Sequence, residues 1–389
     1  MRKLKRFSLN ENLFLFLLLF CILRFQIIAA SHLYAFLLIL ILIIPIFLYL
    51  QKVCFFSKDG IQFLVFYISV ASLSWYFSNN PSENNLLYYL LFYTLPILYY
   101  EATLSFLKKI TVERILSIFD FIISVFKIYL FVEVIYRYYI SYMTFKSQGL
   151  LSTIYNFKGN SFYSDTNFLA LVIQNFATTC FYLYKKTKKK IYSKNYLLLM
   201  LFALFSLSRS VLITQIVLLL FDFYFSKFKK GQFVRFHFFT ILGCIAVFAS
   251  FFLLQEDASF RSKIVIFEGI KKIKDFDIAN QIFGFGFGKG EFIYSYRKGD
   301  YGHLHIALLL GEEGIIGIVM FLLFLILTLK NSKGGTARLV FSFLISGFSL
   351  AFFDTSFYLC LGLITALNNK MTKKLAVSNL NFTSGGHIQ

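Results

Sequence analysis

Apolar residues along this chain gather into runs of about 20, broken by short polar stretches. Twenty residues of helix span the roughly 30 Å hydrocarbon layer of a bilayer, so each run is a candidate membrane helix. Runs near that length fall at about 11–30, 34–51, 61–78, 86–103, 115–138, 164–184, 195–208, 211–226, 234–254, 305–329, 337–353 and 355–369. The pattern predicts an all-α polytopic integral membrane protein of about twelve transmembrane helices. Residues 1–389 read as a single polytopic membrane domain, because no polar stretch is long enough to bury a core of its own. Between the ninth and tenth runs, residues 255–304 form the one long loop.

Composition agrees, with 58% hydrophobic, 20% aromatic and 15% charged residues. The net charge of +20 changes the picture only through its placement. With the N-terminus cytoplasmic, the alternate loops at 1–10, 51–60, 103–114, 185–194, 226–235, 330–338 and the tail from 369 hold 25 of the 39 Lys and Arg. The short loops of the opposite set hold almost none: Lys146 and Lys158 lie in 139–163, and Arg209 stands alone between the seventh and eighth runs. A wrongly divided helix would scramble this alternation, so both termini are expected on the cytoplasmic side. Runs such as "KKTKKKIYSK" (185–194) then anchor helices in the membrane and are not a nucleic-acid site. The basic N-terminus "MRKLKR" heads an uncleaved first helix, since no small-residue cleavage site follows. The five cysteines lie in or beside apolar runs without C-x-x-C spacing, which indicates neither a disulfide framework nor a zinc site.

The 255–304 loop carries eight Lys and Arg, which a long translocated loop tolerates. Its length points to function, and with it to an external working face. No repeat of fixed period and no inverted repeat is visible, which disfavours a secondary carrier.

Four polar clusters fall on that external side. In "NFKGNSFYSDTNFLAL" (156–171), Asp165 and Asn167 open the sixth run; a helix cap explains one of them but not the group with Lys158 and Gly159. In "FSLSRSVLIT" (205–214), Arg209 interrupts about thirty apolar residues. Such an arginine snorkels to the headgroups or serves a site. The loop has Arg261 near its start and "GFGFGKG" (284–290) near its end, where glycines turn the backbone or let it approach an anion. The fourth cluster is "YGHLHIALLLGEEGIIG" (301–317). His305 and Glu312, seven positions apart, share a helix face, while His303 must act from the loop before the helix. Two histidines without a third ligand at suitable spacing do not make a metal site. Lys158, Arg209 and Arg261 together suit a phosphate or diphosphate group on a lipid carrier.

In this order "SDTNFLAL", "SLSRS", a large loop opening on an arginine and closing on "GFGFG", then "H…GEEGIIG" resembles the O-antigen ligase and Wzy-type O-antigen polymerase superfamily of bacterial envelope proteins. The motifs cover about 156–318. The resemblance implies a metal-independent, cofactor-free glycosyltransferase of the bacterial inner membrane, its active face periplasmic. Its donor would be an undecaprenyl-diphosphate-linked glycan, and a chain-length regulator is a candidate partner. Arg209 and Arg261 would hold the diphosphate, and His303, eleven residues before Gly314, would serve the acceptor hydroxyl, with Lys158, Asp165, Asn167, His305 and Glu312 lining the substrate. Three positions depart from the family pattern: Thr166 where Pro is common, Lys158 where Arg is, and Leu304 where Asn follows the histidine. Family register favours His303, and helix geometry favours His305. The chain's Phe- and Tyr-rich character favours a polymerase over a ligase, and its long external loop disfavours a lipid-linked oligosaccharide flippase.

Overall fold

The structure is a computed structural model that describes residues 58–77, 86–148, 166–225, 258–286, 290–294, 304–347 and 355–383, with a few positions at 8–15, 157 and 238–242. No strand occurs among the described residues. The helices are α1 (Lys58–Phe77), α2 (Leu86–Lys109), α3 (Val112–Gln148), α4 (Thr166–Thr187), α5 (Lys190–Phe205) and α6 (Arg209–Phe225), followed by the loop helices α7 (Ala258–Ile270), α8 (Ile278–Phe283) and α9 (Gly290–Ile293). The chain continues with α10 (His305–Asn331), α11 (Ala337–Gly347) and α12 (Thr355–Thr383). Nine of the twelve predicted runs coincide with helices; 11–30, 34–51 and 234–254 lie largely or wholly outside the described residues. Two helical segments, Val112–Met143 and His305–Asn331, are long and apolar enough to cross a membrane.

Two helices form the centre of the bundle. α4 is buried continuously from Leu169 to Phe181, and α12 from Ser356 to Asn368. A helix buried on every side is mostly apolar all round, and the amides that α4 buries are hydrogen-bonded, Gln174 to Ser346 and Asn175 to Ser356. α5 folds back along α4, and α12 packs along α2, brought close where Gly362 faces Thr103 and the Tyr100 carbonyl. At the periphery the pattern inverts. α3 exposes Ile128, Phe131, Val132, Ile135, Tyr138, Tyr139 and Tyr142, an apolar strip ending in tyrosines, the amphipathic rings enriched where a membrane meets water.

Polar contacts join helix ends that the charge pattern assigns to one side. Glu11, which with Ser8 forms a capping box, accepts two 2.6 Å hydrogen bonds from Arg114. Asp222 on α6 pairs with Lys185 on α4 and Arg338 on α11. The Arg338 guanidinium also lies 3.8 Å from the centre of the Phe181 ring. Asn368 donates to the Ser332 carbonyl and accepts from Tyr182, while Lys370 donates to the Ile110 carbonyl. All of these ends carry the predicted cytoplasmic loops.

Candidate functional site

The opposite end of the bundle is built around a break in α10. Gly314 has φ 68°, ψ −161°, outside the helical region, so the apolar run 305–329 is two helical pieces instead of the single helix expected from its length. A break there frees the carbonyls of Gly311 and Glu312, which an intact helix would bond to the amides four residues on. The loop supplies the missing donors: Phe285 N–H donates to the Gly311 carbonyl at 2.7 Å and Gly286 N–H to the Glu312 carbonyl at 3.1 Å. The backbones meet so closely that a Cβ on Gly290 would overlap Gly311, and one on Gly284 would fall 2.5 Å from the Glu312 carbonyl. "GFGFGKG" is therefore a backbone dock for "GEEGIIG". Its place is about nine residues into α10, roughly 13 Å from the helix start at 1.5 Å per residue. The stretch read as the end of an external loop thus folds back into the bundle beside α10 and α1, where irregular backbone is satisfied by protein.

Each glycine of "GEEGIIG" has a distinct part. Gly311 admits Gly290, Gly314 makes the break, and Gly317 leaves room for the Glu313 side chain, with which any Cβ there would collide. Glu313 is fully buried, and its Oε1 accepts a 2.7 Å hydrogen bond from Tyr67 of α1. A carboxylate enclosed in a helix bundle needs a partner or water, and Tyr67 partners Glu313. Glu312 is buried alongside. A cavity of about 30 Å³, room for one or two waters, is lined by Tyr67, His305, Leu309, Gly317 and Phe321 among others.

His305 is the first residue of α10 and turns inward, its ring edge-on to Phe321 (4.8 Å between centres) and Phe343 (5.6 Å). It shares burial with Glu312 but lies in an aromatic setting inside the bundle. His303, Lys158 and Asp165 lie outside the described residues. Asn167 occupies the first turn of α4 and is half-buried. Arg209 opens α6 and Arg261 lies in the first turn of α7; their side chains lie outside the described part of the structure.

Hydrogen bonds join the helices that follow two of the sequence clusters. Gln174 of α4 donates to Ser346 Oγ of α11 at 2.9 Å, and Ser346 shares a 3.1 Å hydrogen bond with Thr214 of α6. Thr214 donates to the Ser210 carbonyl, and the Ser210 hydroxyl meets that of Ser208 at 3.2 Å. This line ties the helix opened by "SDTNFLAL" to the "SLSRS" turn. The loop helix α7 is fixed by Ile266, which packs with Tyr294, Leu304, Ala307 and Leu310 at the start of α10. Burial in that cluster pushes the Tyr294 hydroxyl up to about 12.

One charged pair was not singled out from the sequence. Arg137 and Glu133, four apart on α3, are both buried, with Nε to Oε1 at 3.6 Å. Arg137 Nη1 donates to the Phe205 carbonyl at 3.2 Å, and the guanidinium lies 4.7 Å from the Phe157 ring centre. Their i, i+4 spacing inside a predicted span was the available signal.

No family model, curated protein or solved structure matches the chain.

Proposed function

We propose that the chain is a Wzy-type polymerase of surface polysaccharide in the bacterial inner membrane, with twelve spans, both termini cytoplasmic and the working face periplasmic. It transfers glycan from an undecaprenyl-diphosphate carrier to an acceptor sugar on another lipid-linked repeat unit. The observation that carries this reading is the docking of "GFGFGKG" on "GEEGIIG", which draws the Arg261-bearing loop onto the helix that follows His303. Hydrogen bonds link the Arg209 turn to α11, whose Gly347 lies against His305 at the start of α10, in support of one site. The same-side contacts at the basic end support the span layout.

In this scheme the acceptor hydroxyl oxygen attacks the anomeric carbon from the face opposite the diphosphate. The new C–O bond forms as the bond to the diphosphate oxygen breaks, with inversion, and undecaprenyl diphosphate departs with that electron pair. The hydroxyl proton passes to His303. Arg209 and Arg261 offset the charge that develops on the leaving diphosphate. His305, enclosed by Phe321 and Phe343, supports the wall of the site and does not meet the acceptor.

A deletion strain tests the proposal. Surface polysaccharide resolved on a gel should collapse to single repeat units on the lipid core. Bare core with carrier-linked polymer would make the protein a ligase instead, and repeat units stranded on the cytoplasmic face would make it a flippase.

A further inference from the structure

Burying an arginine and a glutamate together in a helix bundle is expensive unless both are used, because desolvation rivals the attraction between them. On α3 the pair is nearly inaccessible to solvent. Besides Glu133 and the Phe157 ring, Arg137 reaches the backbone carbonyl of Phe205. Phe205 is the last residue of α5, and a cation is favoured at a helix C-terminus, where carbonyls lack amide partners. The turn that follows is unusual. Leu207 has φ 53°, in the left-handed region that a residue with a Cβ rarely adopts, and Ser208 N–H bonds the Ser206 hydroxyl in place of a helical carbonyl. Strain of this kind persists only where both flanks are fixed. One flank is fixed by Arg137 on the Phe205 carbonyl, the other by Ser210 and Thr214 through Ser346 and Gln174. Arg209 stands between these anchors, as the residue where the turn becomes α6.

We infer that Arg137, held by Glu133, is a positioning residue that sets the α5–α6 turn and so the placement of Arg209 for the lipid-diphosphate donor. This rests on the polymerase reading for the role of Arg209, whereas the setting of the turn does not. The two parts are tested by separate arms.

In the first arm, purified variants in liposomes elongate lipid-diphosphate-linked repeat units. Arg137→Gln is expected to lower kcat/KM for the donor about 30-fold in the native background but less than about twofold in an Arg209→Ala background, since residues that act through one another are not additive. Equal losses in both backgrounds would show a general structural role and overturn the inference.

In the second arm, the five native cysteines are replaced and Leu207→Cys is labelled in spheroplasts with a membrane-impermeant maleimide. Arg137→Gln is expected to raise the labelling rate about fivefold or more, and Arg137→Lys to return it to within about twofold, because an ammonium can still reach the carbonyl. If Arg137→Gln fails to accumulate, Glu133→Leu/Arg137→Leu removes both charges and must show the same rise. An unchanged rate in the accumulating variant overturns the inference whatever the activity. A raised rate in a protein that never elongates the donor upholds the setting of the turn and sinks the polymerase reading.

Discussion

The two ends of this bundle use charge in opposite ways. At the basic end, side chains carry the contacts: Arg114 and Glu11 remain partly open to solvent, and Lys185 is 40% exposed while it pairs with the buried Asp222. At the glycine-rich end, carboxylates are wholly enclosed and the decisive contacts are between backbones, Phe285 and Gly286 onto Gly311 and Glu312. Rim pairs hold helices in register and tolerate exchange, because water can replace a lost partner. A backbone dock inside a bundle has no such substitute, since an unmet amide or carbonyl there has nowhere to turn. The contrast separates anchoring from construction of a site.

That contrast can be broken by ranking substitutions. The largest effect is expected from Gly311→Val, because its Cβ would overlap the Gly290 backbone, which cannot swing aside as a side chain could. It should cost more than about 3 kcal/mol and undock the loop. Protease cleavage within 255–304 would report the undocking, and unchanged resistance would refute the dock. Tyr67→Phe is the intermediate case, removing the donor to a fully buried Glu313 for about 1–3 kcal/mol. A thermal midpoint in detergent measures it. Replacing Glu313 by Gln in the Tyr67→Phe protein should recover part of the loss, by removing the ionisable group. Arg114→Ala is the smallest, at most about 1 kcal/mol, because the pair with Glu11 lies at the rim. Were Arg114→Ala to destabilise more than Gly311→Val, the distinction between the ends would be lost.

How far the sequence discloses this architecture depends on what each feature leaves in it. Run length finds helices, and nine described helices fall where runs lie, since a residue in apolar surroundings needs its backbone bonds met locally. The break at Gly314 leaves a fainter trace: "GEEGIIG" lies inside an apolar run of spanning length, and Gly311, Gly314 and Gly317 act through atoms they lack. Contacts between backbones have no side-chain pattern, so the two glycine motifs read as separate features although they are one joint. Arg137 and Glu133 were diluted in the long apolar stretch of 115–138, and the tertiary contact of Arg137 with the Phe205 carbonyl is what reveals a use for the pair. The choice between the two histidines turned on where α10 starts. His305 is its first residue and points inward, while His303 lies outside the described residues.

The most direct measurement is elongation by the purified protein. Native chain and Arg209→Ala, in liposomes with undecaprenyl-diphosphate-linked repeat units and no nucleotide sugar, are sampled over time on a gel, and free undecaprenyl diphosphate is assayed in parallel. The expected result is a ladder of carrier-linked polymer from the native chain, one undecaprenyl diphosphate released per linkage, and a loss of about a hundredfold or more in Arg209→Ala. A native chain that neither elongates the donor nor releases undecaprenyl diphosphate, or an Arg209→Ala variant as fast as the native chain, would contradict the assignment of this end of the bundle as a lipid-diphosphate glycan site.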